Sequence, residues 1–293
     1  MFIDDVFAAN GGLATTAQLL AVMSRKSIAG HVRAGAMVRV WHGVYALEQP
    51  SVIGRLAGLE LMTGRPAVAC MSTAAKLYGF DTENDDRIHV LDPGIRLRPT
   101  AGLRVHQRTG APLRRIAGRL ATAPAWTAVE TARALRRPRA VATLDAALRC
   151  GACTKVELEA AAREQKGRRG IVNVRNLLPH ADGRSESAME SEARLVFIDG
   201  GLPPTEIQYQ IVDHYGDLWR ADFAWPEAMV AAEYDSMEWH ANPTAWKRDH
   251  IKTSRLQECG WELVRFVVDD VRRQPVELVH RVASRINAAR LVS

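Results

Sequence analysis

Residues 220–240, RADFAWPEAMVAAEYDSMEWH, constrain this chain more than any other stretch. Asp222 sits inside an apolar run. One strand and turn later, Glu233 and Asp235 stand two apart among Val230, Ala231, Ala232 and Tyr234. Residues two apart on a strand share a face, and carboxylates buried among apolar neighbours are costly unless a cation compensates them. The flanking pattern supplies the sheet. IQYQIVD, LWRADFAW and MVAAEYD alternate and are separated by the turns Tyr215-Gly216-Asp217 and Pro226-Glu227-Ala228, which predicts a three-strand meander. A helix carrying Glu190, Arg194, Leu195 and Ile198 precedes it. A long helix over about 243–259, the strand WELVRFVV and a helix opened by Pro275 follow, giving the order αβββαβα.

Strand pairing through the short turn brings Asp222 towards Glu233 and Asp235. Three carboxylates at one edge repel one another unless a divalent ion binds. Oxygen-only ligands favour Mg²⁺ or Mn²⁺ over zinc, and such an ion activates water and stabilises phosphate oxygens. Asp222, Glu233 and Asp235 are therefore the candidate metal ligands. Glu190 is a candidate fourth carboxylate, and His240 a candidate proton carrier or phosphate contact. Lys247, Arg248, Lys252 and Arg255 on the following helix are candidates to hold a nucleic-acid strand. The structural alternative is an acidic sheet edge paired with those helix cations.

The front of the chain has the opposite character. Residues 1–183 carry 26 basic and 15 acidic residues, whereas 184–293 carry 13 and 18. A basic front and an acidic back suggest that one part meets a polyanion while the other gathers carboxylates. Thr15-Thr16 is placed to cap one helix and Ser24 to cap another, Arg25–Arg33, ending at Gly35. MVRVWHGVYAL then reads as a hairpin turning at His42-Gly43. That order is a winged helix-turn-helix. Arg25, Lys26, Ser27 and His31 are expected to face out to a major groove, while Ile28 and Val32 face in. Arg39 and His42 are expected on the wing, against a phosphate or the minor groove. Protein contact is the competing use of such a module.

Residues 49–183 read as a mixed α/β region. GRPAVACMSTAAKLYGF looks helical, DRIHVLDPG and GLRVHQR look like strands, and two Ala-rich helices break at Pro138. Arg96, Arg98, Arg104, Arg108, Arg114, Arg115 and Arg119 are candidates for a phosphate-contacting surface, or equally a solvated face. Residues 183–187, GRSES, look like a linker. Four cysteines, including the lone pair Cys150 and Cys153, make neither a disulfide framework nor a zinc site. No apolar run reaches the roughly 18–20 residues of a membrane span, and the acidic N-terminus is unlike a signal peptide, so a cytoplasmic location is expected.

Two resemblances add to this reading. Residues 187–291 resemble the Vsr-like endonucleases of the PD-(D/E)xK restriction-endonuclease superfamily. The resemblance is carried by Glu190 before Arg194, Asp222-Phe223-Ala224, Glu233-Tyr234-Asp235, His240, and Arg255 before Gly260-Trp261 and Val264-Arg265. It implies that Asp222 and Glu233 bind Mg²⁺. The superfamily's usual lysine, two residues after the glutamate, is replaced here by Asp235. The Vsr-like branch also has an acid there, with a following histidine that His240 matches. Ser236 stands where that branch usually has glycine. Residues 5–47 resemble the winged-helix domain of AbiEi-like type IV antitoxins, through residues 12–20, Val32-Arg33-Ala34-Gly35 and residues 39–46. That likeness implies repression of a promoter. The combined expectation is an α+β multidomain chain: 1–48 a winged helix-turn-helix, 49–183 mixed α/β, and 184–293 a restriction-endonuclease-like αβββαβ domain. It would act on duplex DNA with Mg²⁺ or Mn²⁺. The alternative is a non-enzymatic antitoxin-like repressor with a retired nuclease fold. A toxin or a second copy of the chain is the possible protein partner.

Overall fold

The computed structural model describes residues 3–83, 85–95, 97, 100–107, 110–235 and 243–292. The chain forms two compact units, the first of residues 1–79 with 83–130 and the second of 80–82 with 131–293. Each holds mixed helices and sheet.

The first unit opens with α1 (Ile3–Ala8), β1 (Leu13–Thr15), α2 (Thr16–Leu20), α3 (Arg25–Arg33), β2 (Val38–Trp41) and β3 (Val44–Ala46). The strands form an antiparallel sheet in the order β1-β3-β2. The caps are those the sequence predicts. Thr15 closes a capping box with Gln18 at the start of α2, and Ser24 Oγ accepts from Ser27 N at the start of α3. Gly43 takes φ 73 in the β2–β3 turn, a left-handed conformation suited to glycine. Strand β1 was not expected; its three residues are too few to show a period. Phe7, Leu19, Ile28, Met37 and Tyr45 form the core beneath α3.

The same unit continues with α4 (Val52–Thr63), β4 (Val68–Ala69), α5 (Met71–Tyr78), β5 (Ile88–Leu91), β6 (Leu103–His106), β7 (Leu113–Ile116), β8 (Arg119–Thr122) and α6 (Pro124–Ala132), within which the boundary between the units falls. A five-stranded sheet has the order β6-β5-β4-β8-β7. The stretch expected to be all helical supplies its central strand, β4, just before α5. Strand β4 is only two fully buried residues, which no periodicity reveals. The β7–β8 hairpin was also missed. Its turn places both Ala117 (φ 47) and Gly118 (φ 74) in the left-handed region, so it is a tight two-residue turn without the usual Asn-Gly signature. Trp41, Leu13 and Val44 share one core with Leu56, Leu59, Ala69, Ile88 and Val90. Trp41 Nε1 donates to the Arg55 carbonyl at 2.7 Å. The boundary expected at residue 48 therefore falls inside a continuous core.

The second unit holds α7 (Arg137–Arg149), α8 (Lys155–Glu164), α9 (Ile171–Leu177), α10 (Ala188–Asp199), β9 (Glu206–Val212), β10 (Leu218–Trp225), β11 (Val230–Tyr234), α11 (Pro243–Glu258), β12 (Glu262–Phe266), α12 (Val268–Arg272) and α13 (Pro275–Val292). Its sheet runs β12-β11-β10-β9, antiparallel except for the parallel β11–β12 pair. The expected meander, following helix and fourth strand are all present. On one side, Phe197, Phe223, Trp225, Phe266 and Leu278 form an aromatic-rich core. On another, Ile211, Ala221, Ala231, Leu256 and Trp261 pack together.

Residues 183–187 are not a free linker. Ser185 is buried, its carbonyl accepts from Arg149 at 2.6 Å, and a Cβ at Gly183 would meet Leu148 and Arg149 at about 3.0 Å. Beneath this segment Arg194 of α10 pairs with the fully buried Asp145 of α7 at 2.5 Å, and also donates to the His180 carbonyl and to Ser185 Oγ. Helices α7 and α10 are thereby joined by an ion pair that a pattern search cannot see, because its members lie 49 residues apart.

Candidate functional site

The sheet of the second unit sets the acids level with one another. Phe223 on β10 stands opposite Ala232 on β11 and Ile207 on β9. One step along, Gln208, Asp222 and Glu233 therefore lie in a row across three strands. The alternation slips at this level. Ala221 and Phe223, two apart on β10, pack in different clusters, and Gln208 has φ 53, a left-handed value that no strand residue adopts without cost.

Each carboxylate has found something to lean on. Glu190, buried in the first turn of α10, accepts from the Glu186 amide at 2.7 Å and from Gln208 Nε2 at 2.8 Å. Asp222 Oδ2 accepts from the Tyr234 amide at 2.8 Å. Glu233 accepts from the Lys252 ammonium, delivered by α11, which also donates to the Arg220 carbonyl. Asp235 lies 3.8 Å from Arg265, whose closest partner is Asp249. The compensation is incomplete. Burial, then the charges of Glu190 and Glu233, push Asp222 up to about 7, against the single Tyr234 amide and Lys252. Burial likewise raises Glu233 despite Lys252. The remaining group in the row, Gln208, has a buried Oε1 that meets no hydrogen-bond donor among the described residues.

These residues suit a hard divalent cation through oxygen alone, with Asp222 and Glu233 as the groups that would hold it and the Gln208 oxygen as an unused acceptor beside them. Among the described residues no three His, Cys, Asp or Glu side chains form a ready cage. Lys252 does what the structural alternative expected of a helix cation: it pairs with the acidic edge. Arg255 goes elsewhere, its guanidinium 3.6 Å from the centre of the Tyr215 ring and paired to Glu258. Arg248 is exposed on α11. His240 and the side chain of Lys247 lie outside the described residues. Gln208 was missed because a glutamine in IQYQIVD reads as an ordinary outward residue, and nothing in the sequence marks a non-glycine left-handed backbone.

The cationic set of the first unit is arranged as expected. Arg25, Lys26, Ser27 and His31 on α3 are exposed while Ile28 is buried, and Arg39 and His42 are exposed on β2 and its turn. The first turn of α3 carries no acid. Among the described residues none of Arg25, Lys26, His31 or His42 has an ion-pair partner, and Arg39 rests only on the Tyr45 ring, 5.8 Å from its centroid. The middle arginines do not form one surface. Arg104 is on β6 and Arg114 and Arg115 are on β7, the two opposite edges of the five-stranded sheet, and Arg119 is taken by Glu60. Arg96, Arg98 and Arg108 lie outside the described residues. Cys150 and Cys153 are unbridged thiols. No helix among the described residues is long and apolar enough to cross a membrane.

Comparison with known proteins adds a family. Residues 67–180 match the model of the AbiEi antitoxin C-terminal domain. The match falls on the middle region, to which the sequence assigned no chemistry, rather than on residues 5–47, where the antitoxin resemblance was found. Two uncharacterized proteins of Mycobacterium tuberculosis, from strains CDC 1551 / Oshkosh and H37Rv, are each 61% identical over 269 residues, covering 92% of this chain and 99% of their own. The chain therefore belongs to the family of these mycobacterial proteins, and its residues 67–180 are similar to the AbiEi antitoxin C-terminal domain.

Proposed function

We propose that this chain is a DNA-binding regulator of the toxin–antitoxin kind, acting in the cytoplasm. Its first 48 residues serve as a winged helix-turn-helix on duplex DNA. The observation that carries this reading is the exposed cationic face of α3. Arg25, Lys26 and His31 are exposed and, among the described residues, without an ion-pair partner, Ser27 is exposed with them, and Ile28 anchors the helix in the core beneath. Such a face is costless to solvate and gains by releasing counterions from phosphates. The antitoxin domain supports a regulatory role and a cognate toxin as protein partner. The test is binding of the full chain to duplex DNA spanning its own promoter, measured against salt, beside an unrelated duplex. A salt-insensitive or undetectable interaction with both would refute this reading.

The row of Gln208, Asp222 and Glu233 beside Glu190 favours a second reading, hydrolysis of a phosphodiester in DNA. Mg²⁺ or Mn²⁺ held at Asp222 and Glu233 would supply an activated water and charge stabilisation. In the protein itself, Lys252 would steady Glu233 and approach a phosphate, Glu190 would fix Gln208, and Asp235 and His240 are the remaining candidates to move a proton. The assay is nicking of supercoiled, linear, mismatched and single-stranded DNA with Mg²⁺ or Mn²⁺, with Asp222→Asn as the control. Cleavage that persists in Asp222→Asn, or that never occurs in the wild type, would leave the regulator alone.

A further inference from the structure

We propose that Gln208 is a ligand-bearing member of the acidic site, its side-chain oxygen completing a divalent-cation site with Asp222 and Glu233. This rests on the second reading above. Three independent features of Gln208 point the same way.

The first is its orientation. An amide's oxygen and nitrogen are told apart by the partners they meet. Here the partner is decisive: the group 2.8 Å from Glu190 Oε2 is the NH₂, because that oxygen is an acceptor, taking the Glu186 amide as well. The oxygen is therefore fixed on the other side.

The second is that this oxygen is buried and meets no donor among the described residues. A buried acceptor left without a partner costs roughly 1–3 kcal/mol. The chain retains it at a place where two carboxylates already crowd, so what is missing is a positive group rather than another acceptor.

The third is the backbone. Gln208 is held at φ 53 in the middle of β9, in register with Asp222 but without the bridge that its neighbours Ile207 and Tyr209 make to Phe223 and Ala221. Strain of this kind persists where surrounding structure enforces it and concentrates at functional sites. Asp235 is drawn to Arg265, so a third oxygen is wanted, and Gln208 supplies a neutral one. A neutral third ligand adds coordination without adding to the repulsion between Asp222 and Glu233, which suits a hard cation that accepts amide as well as carboxylate oxygen.

The experiment is titration of the full-length protein with MnCl₂ alone, without DNA, by calorimetry and by the enhancement of water-proton relaxation. The shift in melting temperature with Mn²⁺ is a third readout. Gln208→Met keeps the side chain's length and removes the oxygen, and weakening of Mn²⁺ binding by roughly ten- to a hundredfold is expected. Gln208→Glu loses the hydrogen bond to Glu190 but keeps an oxygen at that position, so it should bind Mn²⁺ more tightly than Gln208→Met and show the larger melting shift of the two. If Gln208 served only as the NH₂ donor to Glu190, the ordering would reverse. Gln208→Glu would then set two carboxylates against each other and be the weaker binder of the two. That reversal, or wild-type affinity in a folded Gln208→Met, would overturn the proposal while leaving the metal site itself standing, provided Asp222→Asn abolishes binding. Absence of Mn²⁺ binding by the wild type would remove the second reading and this inference together. If Gln208→Met does not fold, Gln208→Asn, which keeps the amide but withdraws its oxygen, takes its place in the same ordering.

Discussion

The outward face of α3 and the row across β9, β10 and β11 both concentrate charge, and they do so under opposite rules. Arg25, Lys26 and His31 are exposed, where water carries the cost of the cations, and none of them has an ion-pair partner among the described residues. Asp222, Glu190 and Glu233 are shielded, and each is held by a specific neighbour: the Tyr234 amide, the Gln208 side chain, the Lys252 ammonium. Exposed charge acts at a distance and on anything of opposite sign. Buried charge acts at one place, and its protonation answers to its surroundings. The first arrangement suits encounter with a polyanion, the second suits chemistry or a cation.

The largest expected effect tests how expensive buried charge is in this chain. Arg194→Met leaves Asp145 buried without its partner, and loss of roughly 3–5 kcal/mol is expected in denaturant unfolding. Adding Asp145→Leu should recover most of it. A single-mutant loss below about 1 kcal/mol would mean that Asp145, whose burial raises its pKa, already carries a proton.

Next comes the solvated face. Arg25→Ala with Lys26→Ala should lower affinity for duplex DNA by about ten- to a hundredfold at low salt and reduce the slope of log affinity against log salt by roughly two, one for each lost phosphate contact. Melting temperature should hardly move. An unchanged slope would place the DNA-contacting surface elsewhere.

The pH dependence separates the two regions further. Asp222 is raised to about 7 in the folded chain, against about 3.9 when unfolded. The folded state therefore favours the protonated form. The stability associated with it is complete below about pH 4 and is lost as pH rises through about 7. Glu233 shifts in the same direction. Asp222→Asn should remove much of that slope and be more stable than the wild type by roughly 1–2 kcal/mol at pH 8 without metal, after allowance for solvent reaching a partly exposed group. Parallel pH profiles for the two proteins would show that Asp222 is already compensated.

The smallest effect concerns the scaffold beneath the cationic face. Ser24→Ala removes the cap on α3 and should cost about 1 kcal/mol. DNA binding should weaken only as far as the helix frays.

What could be read from the sequence follows the same division. Local features were legible: the caps at Thr15 and Ser24, the His42-Gly43 turn, the α3 face, the meander and the placing of Asp222 beside Glu233 all rest on neighbours within a few residues. The central strand β4 was not, because two buried residues have no period. Nor was the β7–β8 turn, whose Ala117 takes a conformation that alanine rarely adopts. At the site, Glu190, Asp222 and Glu233 were identified from type and spacing. Gln208 was not, since its importance lies in an orphaned atom and a backbone angle. Lys252 was expected on a nucleic-acid strand or, in the structural alternative, on the acidic edge, and the fold pairs it with Glu233.

The Asp145–Arg194 pair has a consequence for how such a chain can be exchanged between relatives. The antitoxin-matched stretch ends at residue 180, so a gene crossover just beyond it would look harmless from the family boundary. It would in fact divide an ion pair whose acid is wholly enclosed. A recombinant survives such a crossover only if the incoming half brings a cation to the same place. Residue 145 on α7 and residue 194 on α10 are therefore expected to change together across such a junction.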